Sequence, residues 1–167
     1  MRSRLVAQEY NVGKEDGIFE ATPPLEAVKM QAGEVATMDR GQHQEEKVIM
    51  VNDVARAFFE APMTRELCVE LPEEAKEGED WAKDMVGLLQ MSLYGTRDAA
   101  RNFQREVTMF MQRNGFSVRK YNVCTFYHQK IGIRTLVHGD DFISSGGRNI
   151  LKWFKEKLTE RFEISQN

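Results

Sequence analysis

Asp53 ends a short apolar run, Val48-Ile49-Met50-Val51, and the pair Asp140-Asp141 follows Gly139 between two β-rich segments. Carboxylates are hard oxygen ligands suited to Mg²⁺ or Mn²⁺. Set side by side at rigid strand ends, they would hold two divalent ions about 4 Å apart, the arrangement that aligns attacking and leaving oxygens in phosphoryl transfer. Each motif alone has a plainer reading. Gly-Asp-Asp is also ordinary hairpin-turn chemistry, and an Asp after a strand is ordinary loop chemistry.

These residues need strands and helices to bring them together. Val48–Val51 has the length and β-branched content of a buried strand, and Leu67–Leu71 reads as another, stopped by Pro72. Asp98 can cap a helix over 98–114 whose Ala99, Phe103, Val107, Phe110 and Met111 follow helical spacing, with Asn114-Gly115 as its stop. Segments 123–128 and 131–138 are β-rich, and 142–145 follows the aspartate pair directly, so a hairpin is expected with the acidic residues at its turn. A second amphipathic helix near 148–162 lines up Leu151, Phe154, Leu158 and Phe162. Residues 5–46 are punctuated by Gly and Pro, with room for a short helix near 25–38. The expected fold class is α+β, an antiparallel sheet carrying the three aspartates with helices packed on its other face.

Composition narrows the function classes. At 167 residues, 41% hydrophobic and 29% charged, the chain suits one globular domain with a small appendage, not a disordered or fibrous protein. Two cysteines, no apolar stretch behind the Met1-Arg2-Ser3-Arg4 opening and no run long enough to cross a bilayer point to an intracellular protein with no membrane partner. His43, His128, His138, Cys68 and Cys124 are too scattered for a zinc site. Charge is uneven: residues 1–95 carry 10 Lys+Arg against 19 Asp+Glu, net −9, while residues 96–167 carry 13 against 7, net +6. The basic half could face a phosphate backbone, or its helices could simply present solvated faces.

Four ordered blocks resemble the reverse transcriptases of copia-type retrotransposons. The opening Arg2-Ser3-Arg4-Leu5-Val6-Ala7-Gln8-Glu9-Tyr10-Asn11 resembles that family's fingers strand. Val51-Asn52-Asp53-Val54-Ala55-Arg56-Ala57-Phe58 matches its first carboxylate motif, Ser92–Phe103 its Ser-Leu-Tyr-Gly block, and Leu136–Ile143 its Tyr-Val-Asp-Asp hairpin, with Leu158–Ile164 as the helix end and strand that follow. The chain departs from the family at His138-Gly139, where Tyr-Val is usual, and at Asp98-Ala99-Ala100, where Gln-Ala-Pro is usual.

The resemblance implies a polymerase palm region over residues 47–167 and a partial fingers region over 1–46, one reverse transcriptase domain fragment without the rest of the palm, the thumb and the ribonuclease H domain into which the family continues. It implies RNA-directed DNA synthesis from an RNA or DNA template with primer and deoxynucleoside triphosphates. Two Mg²⁺ or Mn²⁺ ions would be held by Asp53 and Asp140, with Asp141 as a lesser ligand. Arg2 and Arg4 would reach the triphosphate, or form a solvated terminus. Phe58 would lie beneath the sugar, or pack in the core. Gly95 would let backbone approach nucleotide or template, or form a turn before a helix. Arg97, Arg101 and Arg105, at helical spacing of four, would lie along a phosphate backbone or face water. The alternative is a degenerate, inactive remnant with weak nucleic-acid binding at most. A third class, an unrelated two-metal nuclease or phosphatase, would call for further acids or histidines near the same strands, and the sequence offers none.

Overall fold

The structure, a computed structural model, describes residues 6–10, 22–37, 46–78, 85–120 and 122–165. Helix α1 (Leu25–Thr37) is followed by strand β1 (Lys47–Asp53), and β2 (Cys68–Glu70) and β3 (Val86–Leu88) form a small antiparallel pair. Helix α2 (Ala99–Arg113) leads to β4 (Ser117–Arg119), β5 (Asn122–His128), β6 (Ile133–His138) and β7 (Asp141–Gly147). Helix α3 (Arg148–Arg161) follows. The main sheet has the order β1-β7-β6-β5-β4 and is antiparallel throughout, an α+β architecture compatible with a palm.

Strand alternation divides this sheet into two unlike faces. Val48 and Met50 of β1, Phe126 of β5, Val137 of β6 and Phe142 of β7 point to one face. There they meet Phe103, Val107, Phe110 and Met111 of α2 and Leu151, Phe154 and Leu158 of α3 in a single core. Phe126, Phe142, Phe154 and Leu158 are among its fully buried side chains, and each contributes about 1.5–3 kcal/mol by leaving water. Register puts Lys47, Ile49, Val51 and Asp53 on the opposite face, beside Asp141, Ile143, Arg134 and His138. That face is open enough to leave Ile49 and Val51 exposed. Helix α1 covers its far end, where Glu34 pairs with Lys47 (3.3 Å) and with Arg134, and where Gln31 Nε2 donates to the Arg134 and Ile143 carbonyls at 3.1 and 3.2 Å.

The expected strands, the hairpin and the helices all form, within a residue or two of their expected ends. Two details differ. Asp98 occupies the N-cap position of α2, but its side chain makes no cap hydrogen bond; it is 3% exposed and turned to Arg65 and Asn102. A guanidinium and an amide satisfy both carboxylate oxygens better than one helical N–H would. The run at Leu67–Leu71 shortens to Cys68–Glu70, because among the described residues its strand partner is the short β3.

Candidate active site

Asp53 is the last residue of β1 and stands in register opposite Asp141, the first residue of β7. Directly paired residues of an antiparallel ladder project to the same face, with Cα atoms about 4.5–5.5 Å apart. His138 is the partner of Asp141 on its other side, so His138, Asp141 and Asp53 form a row across three strands. Asp140 sits between β6 and β7 in a two-residue turn and is exposed. Gly139, at φ 61°, takes the first turn position in the left-handed region that a type II′ hairpin requires. The Asp140 carbonyl accepts the Val54 N–H at 2.9 Å, which ties this turn to the residue after Asp53.

The C-terminal segment closes the other side. Ser165 Oγ donates to Asp53 Oδ2 at 2.6 Å, the Ser165 N–H donates to the Asp53 carbonyl at 2.8 Å, and Ile164 bridges Val54. Arg56 lies three residues beyond Asp53 at φ 53°, an uncommon conformation for a residue with a side chain, and pairs with Glu163. Arg161 joins Glu60 (3.2 Å) and Glu106 (3.0 Å), linking α3, α2 and the turn after Asp53.

Burial pushes the Asp141 carboxyl above its ordinary value, and the negative charges of Asp140 and Asp53 push it further, against a smaller opposing effect of His138. Asp141 is therefore repelled by both neighbouring aspartates, and the donors of all three are hard oxygens. That chemistry fits a divalent cation of the Mg²⁺ or Mn²⁺ type. Among the described residues no group of three or more His, Cys, Asp or Glu side chains is already drawn into a coordination shell.

The other expected site residues fall in several places. Phe58 is half-buried beside the core, tilted against Tyr94 with ring centroids 4.6 Å apart, and edge-on with Phe103 at 6.4 Å. Gly95, at φ 90°, meets its own chain: a Cβ there would stand 1.9 Å from the Ala7 carbonyl oxygen. Arg101 and Arg105 are exposed on α2, which packs on the sheet face away from Asp53 and Asp141, while Arg97 lies just before that helix and its N–H donates to Glu9 Oε2 at 2.8 Å. Arg2 and Arg4 lie outside the described residues. Sequence reasoning did not single out Ser165 or Arg65. A lone serine near a chain end carries no local signal, and Arg65 gains its meaning only from Glu9 and Asp98, both distant in sequence.

No curated protein matches this chain. The sequence profile described as reverse transcriptase (RNA-dependent DNA polymerase) matches residues 1–167, its whole length. Together with the antiparallel sheet that bears Asp53 and Asp141 in register, that match places the chain in the reverse transcriptase family.

Proposed function

We propose that the chain is the fingers and palm portion of a copia-type reverse transcriptase, working inside the cell, and that Asp53, Asp140 and Asp141 are its metal-binding carboxylates. The observation that carries this reading is the register pairing of Asp53 with Asp141 beside the Asp140 turn. Two Mg²⁺ or Mn²⁺ ions held there would supply Lewis-acid stabilisation to the attacking and leaving oxygens of nucleotidyl transfer. The protein's own part is positional. Strand pairing fixes the carboxylates, Ser165 orients Asp53, and the open sheet face leaves room for a primer terminus and a deoxynucleoside triphosphate. Phe58 would form the floor under the sugar, and Arg2 and Arg4 would contact the nucleotide, whereas Gly95 gives its close approach to the Ala7 carbonyl. Arg97, Arg101 and Arg105 would add to the field that attracts the template–primer backbone.

Mn²⁺ titration followed by electron paramagnetic resonance tests the assignment directly. Asp53→Asn and Asp141→Asn should each weaken Mn²⁺ binding by at least about tenfold, since each removes an anionic ligand. Mg²⁺ should displace the bound Mn²⁺. Unchanged binding in both variants would remove the aspartates from the site. The second reading, an inactive remnant, is favoured by one observation: Asp98, in the block where the family has Gln, is engaged in an ion network and is not presented to solvent. Metal binding without primer extension, when the chain is supplied with template, primer and deoxynucleoside triphosphates, would support that remnant.

A further inference from the structure

A second polar cluster lies outside the carboxylate row and joins the N-terminal segment to the start of α2. Arg65 Nη2 donates to both Glu9 carboxylate oxygens, at 2.8 and 2.7 Å, and to Asp98 Oδ1 at 3.2 Å. Asp98 is held from the other side by Asn102 Nδ2 at 3.2 Å, and Asn102 also donates to Ser92 Oγ at 3.0 Å. The Asp98 side chain is 4% exposed, that of Glu9 16% and that of Arg65 35%, so the two carboxylates are largely withdrawn from water while the guanidinium stays partly solvated. The backbone follows the same path. The Ala7 N–H donates to the Tyr94 carbonyl at 2.7 Å, and the Ala7 carbonyl occupies the space that a side chain on Gly95 would fill.

Such a cluster is a weak source of stability, because desolvating charges offsets much of their attraction; its physical strength is geometric, since one guanidinium nitrogen meets both carboxylates only while Glu9 and Asp98 stay side by side. The arrangement it fixes is the distance between residues 6–10 and residues 94–98. Tyr94 in turn is tilted against Phe58. We propose that Arg65 is a positioning residue, a clasp that holds the N-terminal segment against the palm and thereby sets the affinity for an incoming deoxynucleoside triphosphate. This inference rests on the proposed function, in which the same N-terminal segment reaches the triphosphate.

Two measurements on the chain test it: hydrogen exchange at the Ala7 amide, and binding of a fluorescent deoxynucleoside triphosphate in Mg²⁺. The combined variant Glu9→Gln, Arg65→Met, Asp98→Asn removes all three charges and so leaves no lone buried ion. It should melt close to the native chain, lose protection at Ala7 and bind the triphosphate about tenfold more weakly, a difference of about 1.4 kcal/mol. Arg65→Lys keeps the charge on a differently placed nitrogen and should fall between the two. Retained protection at Ala7, or unchanged triphosphate affinity, would overturn the clasp, as would failure of the combined variant to fold, which would make the cluster a structural support. Asp53→Asn separates the two ideas. If it weakens triphosphate binding while the combined variant does not, the clasp fails and the polymerase reading stands; if the native chain binds no triphosphate, both fail.

Discussion

Phe58 stands five residues beyond Asp53, tilted against Tyr94 and in an edge-on pair with Phe103. On the proposed reading a ring in that position would serve packing and sugar selection at once, because a side chain locked by neighbours excludes a 2′-hydroxyl by overlap more sharply than a mobile one. In a primer-extending form of the chain, Phe58→Ala or Phe58→Val should raise ribonucleotide incorporation relative to deoxyribonucleotide, whereas Phe58→Tyr should change it little. If the ring serves the core alone, truncation should cost about 3–5 kcal/mol in a thermal melt without changing the incorporation ratio. At the same scale, the carboxylate row was legible from strand ends and turn residues. Its support was not, since Ser165 reaches Asp53 across 112 positions of sequence and no local pattern announces such a contact.

At the scale of elements, what was legible followed from periodicity and what was not followed from pairing. β5, β6 and β7 are long enough to show β-branched and aromatic runs, and α2 and α3 carry clean apolar stripes. β3 and β4 have three residues each and form only because a neighbouring edge accepts them. The start of α2 shows a long-range partner overriding a local preference, for Asp98 gives up the cap to meet Arg65. This choice has a pH signature. Burial alone would raise the Asp98 carboxyl, but hydrogen bonds from Arg65 and Asn102 outweigh it and hold the group below its ordinary value. Glu9 is likewise held low, with burial opposed by Arg65 and the Arg97 N–H. A depressed carboxylate contributes stability above its unfolded pKa and loses it as pH falls through the folded one. The melting midpoint should therefore drop as pH is lowered below about 4, the ordinary carboxylate range, and Asp98→Asn should flatten that dependence. An equal slope in the variant would show that Asp98 does not contribute to the acid transition.

At the scale of the whole molecule, the two sheet faces and the two halves of the sequence carry different charge. The carboxylates lie on the open face, whereas the basic half, net +6, places much of its charge on α2 and α3 behind the sheet. Each phosphate neutralised by a contacting cation adds about 0.9 to the slope of log binding constant against log salt for duplex DNA. A backbone running along α2 would thus lose about 1.8 of slope when Arg101 and Arg105 are both changed to Gln. Because the sheet separates the outer side of α2 from Asp53 and Asp141, a template–primer seated at the carboxylates, as proposed, would be attracted by those arginines at a distance without touching them. The expected outcome is a uniform weakening of binding at low salt with a slope change below about 0.9, measured by fluorescence anisotropy on a labelled primer–template across a salt series. A fall approaching the two-contact value would instead put the backbone on α2, and the nucleic-acid path would then cross the back of the palm.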